Sequence, residues 1–164
     1  MPDLLTIAED DLTGPEIRAL VALHLAGMHG ESPPDKVHAL PVEALRAADV
    51  TFYSAWRDGA LAGMGAIRQL AADHGEIKSM RVAPGFVRQG VGEALLRHLL
   101  GVARARGYAR VSLETGRTAA FDPAVMLYRK YGFVECAAFA DYVVDGFSQC
   151  MTLMPVEGAP AAGT

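Results

Sequence analysis

The sequence predicts one domain of the α/β class (α+β mixed), in which a mixed, mostly antiparallel sheet of six to seven strands carries helices on both faces. Three observations indicate this fold. Short apolar runs at strand spacing alternate with longer runs at helical spacing. Asp58-Gly59 is a strong signal for a turn between antiparallel strands. A strand at 75–82 leads through a short loop into a helix and then another strand, which predicts a parallel pair.

The first half of the chain predicts a helix followed by an antiparallel meander. After a short strand, a helix begins at Pro15, a residue favoured in the first turn, and the run of Gly and Pro at 30–34 breaks it. A short helix follows near 41–47. Strand-type residues and turn signals then predict the strands of the meander, at 50–57, 60–70 and 75–82, with the first strand of the chain at 4–7.

The second half predicts a helix that covers the sheet. Its apolar stripe recurs at helical spacing, and Gly107 is a signal for its end. Asp122-Pro123 predicts the start of another helix, with Asp122 as N-cap, and Gly132 ends it. The stripe comprises Leu95, Leu96, Leu99, Leu100 and Ala103, and the remaining strands are predicted at 110–114, 133–136 and 148–154.

Composition and charge exclude several function classes. The 164 residues are 51% hydrophobic and 21% charged, which is typical of a soluble globular domain, and no apolar run is long enough to span a bilayer. The net charge of −4 argues against nucleic acid as a partner. Residues 76–110 nevertheless carry +5, against −9 for the rest, and such a basic segment suits a polyphosphate ligand. The start of the chain has no signal-peptide pattern, so we expect a cytoplasmic protein.

The glycines that open the helix at 90–92 predict a phosphate site, because free backbone N–H groups and the positive end of the helix dipole point the same way. The chain lacks the G-x-x-x-x-G-K-[ST] run of a P-loop. Gly90 and Gly92 fit the dinucleotide pattern G-x-G-x-x-G, but its third glycine is replaced by Leu95 and the loop is long. A third source is the pyrophosphate of an acyl-coenzyme A.

Two segments resemble the GNAT superfamily (GCN5-related N-acetyltransferases). The run from Ser79 to Pro84, followed by Gln89-Gly90-Val91-Gly92-Glu93-Ala94-Leu95-Leu96, is similar to motif A of the family. The run Ala124-Val125-Met126-Leu127-Tyr128-Arg129-Lys130-Tyr131-Gly132-Phe133 resembles its signature A-x-x-L-Y-x-x-x-G-F. Where the family loop begins with Arg or Gln, this chain has Val87, and Arg88 follows.

The resemblance implies an acetyl-CoA-dependent N-acetyltransferase that acts by direct attack of a primary amine in a ternary complex. It implies that the backbone of Met80, Arg81 and Val82 holds the pantetheine arm. The N–H of Met80 would polarise the thioester carbonyl. It also implies that the loop and first helical turn hold the phosphates, through Val87, Arg88, Gln89, Gly90, Val91, Gly92 and Glu93. Acetyl-CoA is a cosubstrate, and the Cys and His spacings predict no metal site.

Three side chains are candidates for proton transfer. Glu76 opens the motif strand where several family members carry a catalytic Glu, and it is the first candidate for the base. Glu114, at the end of the next strand, is the second candidate and a predicted substrate contact. Tyr128 matches the family Tyr that faces the coenzyme sulfur, and a phenol can protonate or hydrogen-bond a thiolate.

The acceptor site is predicted in the loop between the first two helices. The polar side chains of that loop include His29, Glu31, Ser32 and His38, and Tyr142 is a further candidate from the loop before the last strand. The acceptor is a small-molecule amine or a peptide amine, and acidic flanks would attract either. A homodimer is compatible with the sequence.

Two alternatives stay open from the sequence alone. One is a coenzyme A-binding regulatory module without turnover, which Val87 in the motif supports and the presence of Glu76 and Tyr128 opposes. The other is a nucleotide-binding domain. The transferase domain is predicted at 1–155, followed by a flexible C-terminal tail at 156–164 that is rich in small residues.

Overall fold

The computed structural model describes residues 5–31, 41–140, 142, 144–154 and 156, and for residues 27–31 it describes the backbone alone. Seven strands form one sheet in the order β1-β2-β3-β4-β5-β7-β6. The strands are β1 (Leu5–Glu9), β2 (Val50–Arg57), β3 (Ala60–Ala71), β4 (His74–Val82), β5 (Arg110–Gly116), β6 (Val134–Cys136) and β7 (Ser148–Leu153). The helices are α1 (Pro15–Glu31), α2 (Val42–Leu45), α3 (Val91–Ala105) and α4 (Asp122–Lys130).

The predicted architecture is confirmed. Among the described strands, β4 and β5 form the parallel pair and the other neighbours are antiparallel. The predicted stripe of α3 is buried against one face of the sheet, where α4 also packs. Apolar residues of α1 and α2 pack on the other face, against Phe52, Met64 and Ala66. Because α3 connects β4 to β5, it forms the crossover that a parallel pair requires.

Some element ends differ from the sequence prediction. Helix α1 continues through Gly30 to Glu31, so the glycine does not end it. Asp122 is the first residue of α4 rather than its N-cap, because a 3-10 turn at Ala119–Phe121 leads directly into the helix. The packed domain also extends beyond residue 155, since Val156 is buried and its N–H donates to the Ala109 carbonyl at 3.1 Å. The rest of the predicted tail, 157–164, lies outside the described residues.

Two irregularities of β4 open a cleft in the sheet. The β3–β4 register passes from Met64↔Arg81 to Ala66↔Lys78, so Ser79 and Met80 form a bulge at which Ser79 adopts a φ of 56°. The ladder between β4 and β5 ends at Glu76↔Ser112, although both strands continue. Beyond this point the edge of β4 that faces β5 has no strand partner among the described strands.

None of the helices in the described part of the chain is long and apolar enough to cross a bilayer.

Candidate active site

The loop after β4 is the place where the sequence predicts a phosphate site, and its backbone N–H groups are the candidate donors. A 3-10 turn at Pro84–Phe86 reverses the chain, and Arg88 and Gly90 then adopt positive φ values of 63° and 81°. Gly90 precedes α3, and its carbonyl accepts the N–H of Ala94 at 3.0 Å. The N–H groups of the first helical turn therefore have no intrahelical acceptor and point out of the helix end, where they can bind an anion.

The side chains of this loop fall into two groups. Val87 and Arg88 are exposed, and Arg88 has no ion-pair partner among the described residues. Gln89 instead braces the loop, since it accepts a hydrogen bond from Arg57 at 3.1 Å and donates one to the Gly85 carbonyl at 3.3 Å. Arg88 is therefore the side chain of this loop that is available to a phosphate.

Glu93 ties the start of α3 to α4. Its Oε2 accepts hydrogen bonds from Lys130 Nζ at 2.7 Å and from the Tyr131 hydroxyl at 2.6 Å, and these contacts lower the pKa of Glu93. The carboxylate is thus occupied by protein donors, which leaves the backbone N–H of Glu93 as its contribution to an anion site.

A cleft of about 500 Å³ lies where β4 and β5 separate. It is lined on one side by the bulged part of β4 and on the other by the end of β5, with α1, α4 and the loop before β7 completing its walls. Seven of the predicted site residues line this cleft together, namely Glu76, Met80, Arg81, Val82, Val87, Glu114 and Tyr128.

Glu76 belongs to a buried network that the sequence prediction did not include in full. Only 1% of Glu76 is exposed, and its Oε2 accepts hydrogen bonds from Lys78 Nζ at 3.2 Å and from the Tyr142 hydroxyl. Lys78 Nζ also donates to that hydroxyl, and 8% of its side chain is exposed. The other carboxylate oxygen of Glu76, Oε1, is buried and has no hydrogen-bond partner in the described ranges of the chain. A polar atom in that state is suited to receive a donor from a ligand.

Glu114 faces the cleft from β5. It lies two residues beyond Ser112, the register partner of Glu76, so both carboxylates project from the same face of the sheet. Burial raises the pKa of Glu114 to about 7, and the positive charge of Lys78 opposes this effect only in part. A carboxyl group with this pKa exchanges its proton near neutral pH, which is the property required of a general base.

Tyr128 contributes a phenol from α4. It is buried beside Phe133, with 5.8 Å between the ring centroids, and it lines the cleft. Burial raises the pKa of Tyr128 to about 12, so the hydroxyl keeps its proton and acts as a hydrogen-bond donor.

His24 and Arg81 both line the cleft. The sequence prediction included Arg81 as a coenzyme contact, but it did not include His24. His24 of α1 is 9% exposed, and within the described part of the chain its Nδ1 has no hydrogen-bond partner. Burial, together with the nearby charge of Arg81, lowers the pKa of His24 to about 4. In the sequence, His24 lies among leucines and alanines, and this pattern does not predict a residue of the cleft. The contact of Lys78 with Glu76 was predictable, since a spacing of two places both side chains on one face of a strand.

The structure describes only part of the predicted acceptor loop. His29 and Glu31 lie in the last turns of α1, but their side chains are outside the description, and Ser32 and His38 lie outside the described residues altogether. Within the described ranges, no group of three or more His, Cys, Asp or Glu could hold a metal ion. Among the predicted acceptor contacts, the structure therefore describes the side chains of Glu114 and Tyr142, and both line the cleft.

Comparison with known proteins agrees with this geometry. Residues 16–133 match the model of the acetyltransferase (GNAT) family. The chain is 49% identical over 150 residues to the uncharacterized N-acetyltransferase YedL of Escherichia coli, covering 92% of this chain and 94% of the relative.

Two solved structures are similar along nearly the whole chain. A protein assigned as an acyl-CoA N-acyltransferase from Klebsiella pneumoniae superposes with a TM-score of 0.74 at 29% identity, covering 93% of this chain and 98% of the other. A GNAT acetyltransferase from Elizabethkingia anophelis with acetyl-CoA bound shares the fold, with a TM-score of 0.68 at 21% identity, covering 93% of this chain and 99% of the other.

The family match covers both the glycine loop and the tyrosine of the cleft, and the Klebsiella structure shares the fold along 93% of this chain. The protein therefore belongs to the GNAT family and is an N-acetyltransferase.

Proposed function

We propose that the cleft transfers the acetyl group of acetyl-CoA directly to a primary amine of a small molecule, in a ternary complex. The observation that carries this proposal is the pairing of two groups in one cleft: Glu114, whose pKa is about 7, and Tyr128, whose pKa is about 12. The first can take a proton from the attacking amine, and the second can donate a hydrogen bond to the departing thiolate. This arrangement also argues against a binding module without turnover.

The cofactor site follows from the backbone. The unpaired edge of β4 beyond Glu76 offers the main-chain groups of Met80, Arg81 and Val82 to the amides of the pantetheine arm. The loop from Val87 to Gly90 and the first turn of α3, with Val91, Gly92 and Glu93, offer N–H groups to the pyrophosphate. We assign the N–H of Met80 to the thioester carbonyl, where it would stabilise the oxyanion of the tetrahedral intermediate.

We assign the two carboxylates different tasks. Oε2 of Glu76 is already occupied by Lys78 and Tyr142, whereas the buried Oε1 is unpartnered and can hold an N–H of the acceptor. Glu114 has the pKa of a base that works near neutral pH and accepts the proton. This assignment reverses the order of the two candidates predicted from sequence.

Tyr128 serves better as a hydrogen-bond donor than as a full acid. A thiol has a reference pKa of about 8.5, so complete proton transfer from a phenol with a pKa of about 12 to the thiolate is uphill by about 5 kcal/mol. A hydrogen bond from the hydroxyl stabilises the thiolate without that cost, and solvent can supply the proton afterwards.

Replacing Tyr128 by phenylalanine is expected to lower kcat by about 10- to 100-fold, the value of one charge-assisted hydrogen bond. The affinity for acetyl-CoA, measured by calorimetry, should stay within about 3-fold, because the ring and its packing on Phe133 are retained. Tyr108→Phe is the matched control, since its hydroxyl contacts Gln69 and it does not line the cleft. An unchanged kcat in Tyr128→Phe would remove Tyr128 from the mechanism.

Replacing Arg88 by alanine is expected to weaken binding of acetyl-CoA by about 10-fold through the loss of a charged phosphate contact. Binding of S-acetylpantetheine, which has no pyrophosphate, should not change. Arg46→Ala, an exposed substitution at the end of α2, is the control. Equal losses for both ligands would show that Arg88 acts on the shape of the loop rather than on the phosphates.

The order of the reaction is tested by initial rates with both substrates varied. Direct attack in a ternary complex gives intersecting double-reciprocal lines, whereas an acetyl-enzyme intermediate gives parallel lines. If the lines are parallel, Cys150 is the candidate nucleophile, because it is a buried free thiol opposite Glu114 in the β5–β7 ladder.

A further inference from the structure

The wall of the cleft nearest α1 has a chemical character that acetyl transfer itself does not require. Arg81 follows the bulge of β4 and lies opposite Met64, whose side chain is buried under α1. It thus projects toward α1, whereas its neighbours Met80 and Val82 pack with residues of α3. His24 of α1 lines the same wall, and its ring lies close enough to Arg81 for the positive charge to contribute to lowering the pKa of His24.

The second observation is an unsatisfied polar atom. His24 is more than nine-tenths buried, and its Nδ1 has no hydrogen-bond partner among the residues that the structure describes. A buried ring nitrogen without a partner is costly, and the cost is recovered when a ligand supplies the missing hydrogen bond. Because His24 lines the cleft, that ligand is one that enters the cleft.

The third observation concerns charge. The Lys78 cation in the cleft is paired with Glu76. Arg81 has no carboxylate partner among the described residues, and Glu114 stands on the β5 side of the cleft. Among the described residues that line the cleft, the charged groups without an ion-pair partner therefore include one cation at the α1 wall and one carboxyl group at the β5 wall.

We infer that Arg81 and His24 form a subsite for a carboxylate of the acceptor, so that the acceptor is an amino acid or a similar small molecule that carries an amine and a carboxylate. The guanidinium supplies the charge and the fork geometry that match a carboxylate, and His24 supplies one further hydrogen bond at Nδ1. The amine is then directed toward Glu76 and Glu114. This inference rests on the proposed function, because it names the substrate class of the same cleft.

A carboxylate fits this subsite better than a phosphate does. One guanidinium balances a single negative charge, and the imidazole is neutral because burial lowers the pKa of His24 to about 4. A phosphate monoester carries nearly two charges at neutral pH and would leave one of them unbalanced in a half-enclosed cleft. Polyamines lack the anion altogether, and both polyamines and basic peptides would bring cations next to Arg81.

The test compares acceptors that differ only in the carboxylate. The twenty standard L-amino acids, their α-carboxamides and the corresponding decarboxylated amines are offered with acetyl-CoA, and thiol release gives kcat/KM for each. For its best acceptor, the wild-type protein is expected to prefer the carboxylate over the matched carboxamide by about 10- to 100-fold. A preference for carboxamides, decarboxylated amines, polyamines, basic peptides or phosphorylated amines overturns the inference.

Variants then test which side chains cause the preference for the carboxylate. Arg81→Gln is expected to reduce the preference to less than about 3-fold, mainly through a higher KM for the carboxylate. Arg81→Lys should restore part of it, since it keeps the charge. His24→Leu should lose about 5- to 10-fold of the preference, whereas His24→Asn, which keeps a polar atom near Nδ1, should lose less. Arg68→Gln, whose guanidinium pairs with Asp49 on the surface, is the control.

The failure of this inference is distinguishable from failure of the proposed function. Calorimetry with acetyl-CoA checks that Arg81→Gln leaves the coenzyme site intact, and a change in this affinity of more than about 3-fold would assign the Arg81 side chain to the coenzyme and overturn the subsite. Turnover of amines that have no carboxylate at the same kcat/KM as the matched amino acids would uphold the acetyltransferase cleft and overturn the subsite alone. If acetyl-CoA binds but no acceptor in any class is acetylated, both fail.

Discussion

Replacing Glu114 by glutamine is expected to lower kcat/KM by about 10²- to 10⁴-fold, the contribution of a positioned general base. The wild-type protein should lose activity as the pH falls through about 7, because the carboxyl group then becomes protonated and cannot accept a proton. Glu114→Gln should abolish this acidic limb, since the residual reaction no longer depends on that group. Glu43→Gln, an exposed substitution on α2, is the control.

The same substitution should stabilise the fold. The pKa of Glu114 is about 7 in the native state against a reference value of 4.5, so the native state binds the proton more tightly than the unfolded chain does. Stability therefore falls as the pH rises through this window, and at pH 8 the glutamine avoids the burial of a charge. We expect the free energy of unfolding to rise by roughly 1–3 kcal/mol in Glu114→Gln at pH 8, and by much less at pH 4.

The two readouts separate catalysis from structure. If activity falls but the acidic limb near pH 7 remains, another group titrates there and Glu114 only supports the site. If the limb disappears in Glu76→Gln and persists in Glu114→Gln, the base is Glu76 and our assignment of the two carboxylates is wrong.

Replacing Lys78 by methionine is expected to destabilise the protein by about 3–5 kcal/mol at pH 7, because it leaves the carboxylate of Glu76 buried without its cation. The double variant Glu76→Gln with Lys78→Met should recover most of this loss, since the amide is neutral and still accepts the hydrogen bond of Tyr142. Chemical denaturation of the four proteins in the cycle gives the coupling between the two residues.

Lys130→Met provides the matched control for this cycle. Lys130 also pairs with a glutamate, Glu93, at 2.7 Å, but 64% of its side chain is exposed. An exposed pair of this kind contributes about 0–1 kcal/mol. A loss for Lys78→Met that is no larger than for Lys130→Met would contradict the burial of the network around Glu76.

Local sequence was sufficient to predict the loop and the helix opening at which we propose a phosphate site, because their parts are contiguous. The strand, the glycines and the helix between residues 75 and 105 follow one another, and the donors are backbone groups of the loop itself. Tyr128 was also predictable, since its motif and the apolar pattern around it place it on a helix that packs on the sheet.

The surroundings of Glu76, Glu114 and His24 in the cleft could not be predicted from sequence. Glu76 opens its strand, which suggests a solvated end, yet the loop that carries Tyr142 covers it. The pKa of Glu114 depends on burial by elements distant in sequence, and local composition does not report it. His24 lies 57 positions before Arg81 in the chain, and only the packing of α1 on the sheet brings them together.

The central claim is that this cleft moves an acetyl group from acetyl-CoA to an amine. The most direct measurement incubates the wild-type protein with acetyl-CoA and the amine panel, then quantifies free thiol and N-acetylated product by mass spectrometry, together with the intact protein mass. We predict equal amounts of thiol and acetylated amine, with the protein unmodified. Thiol release without an acetylated amine, or an acetylated protein that transfers its group onward, would contradict direct transfer in this cleft.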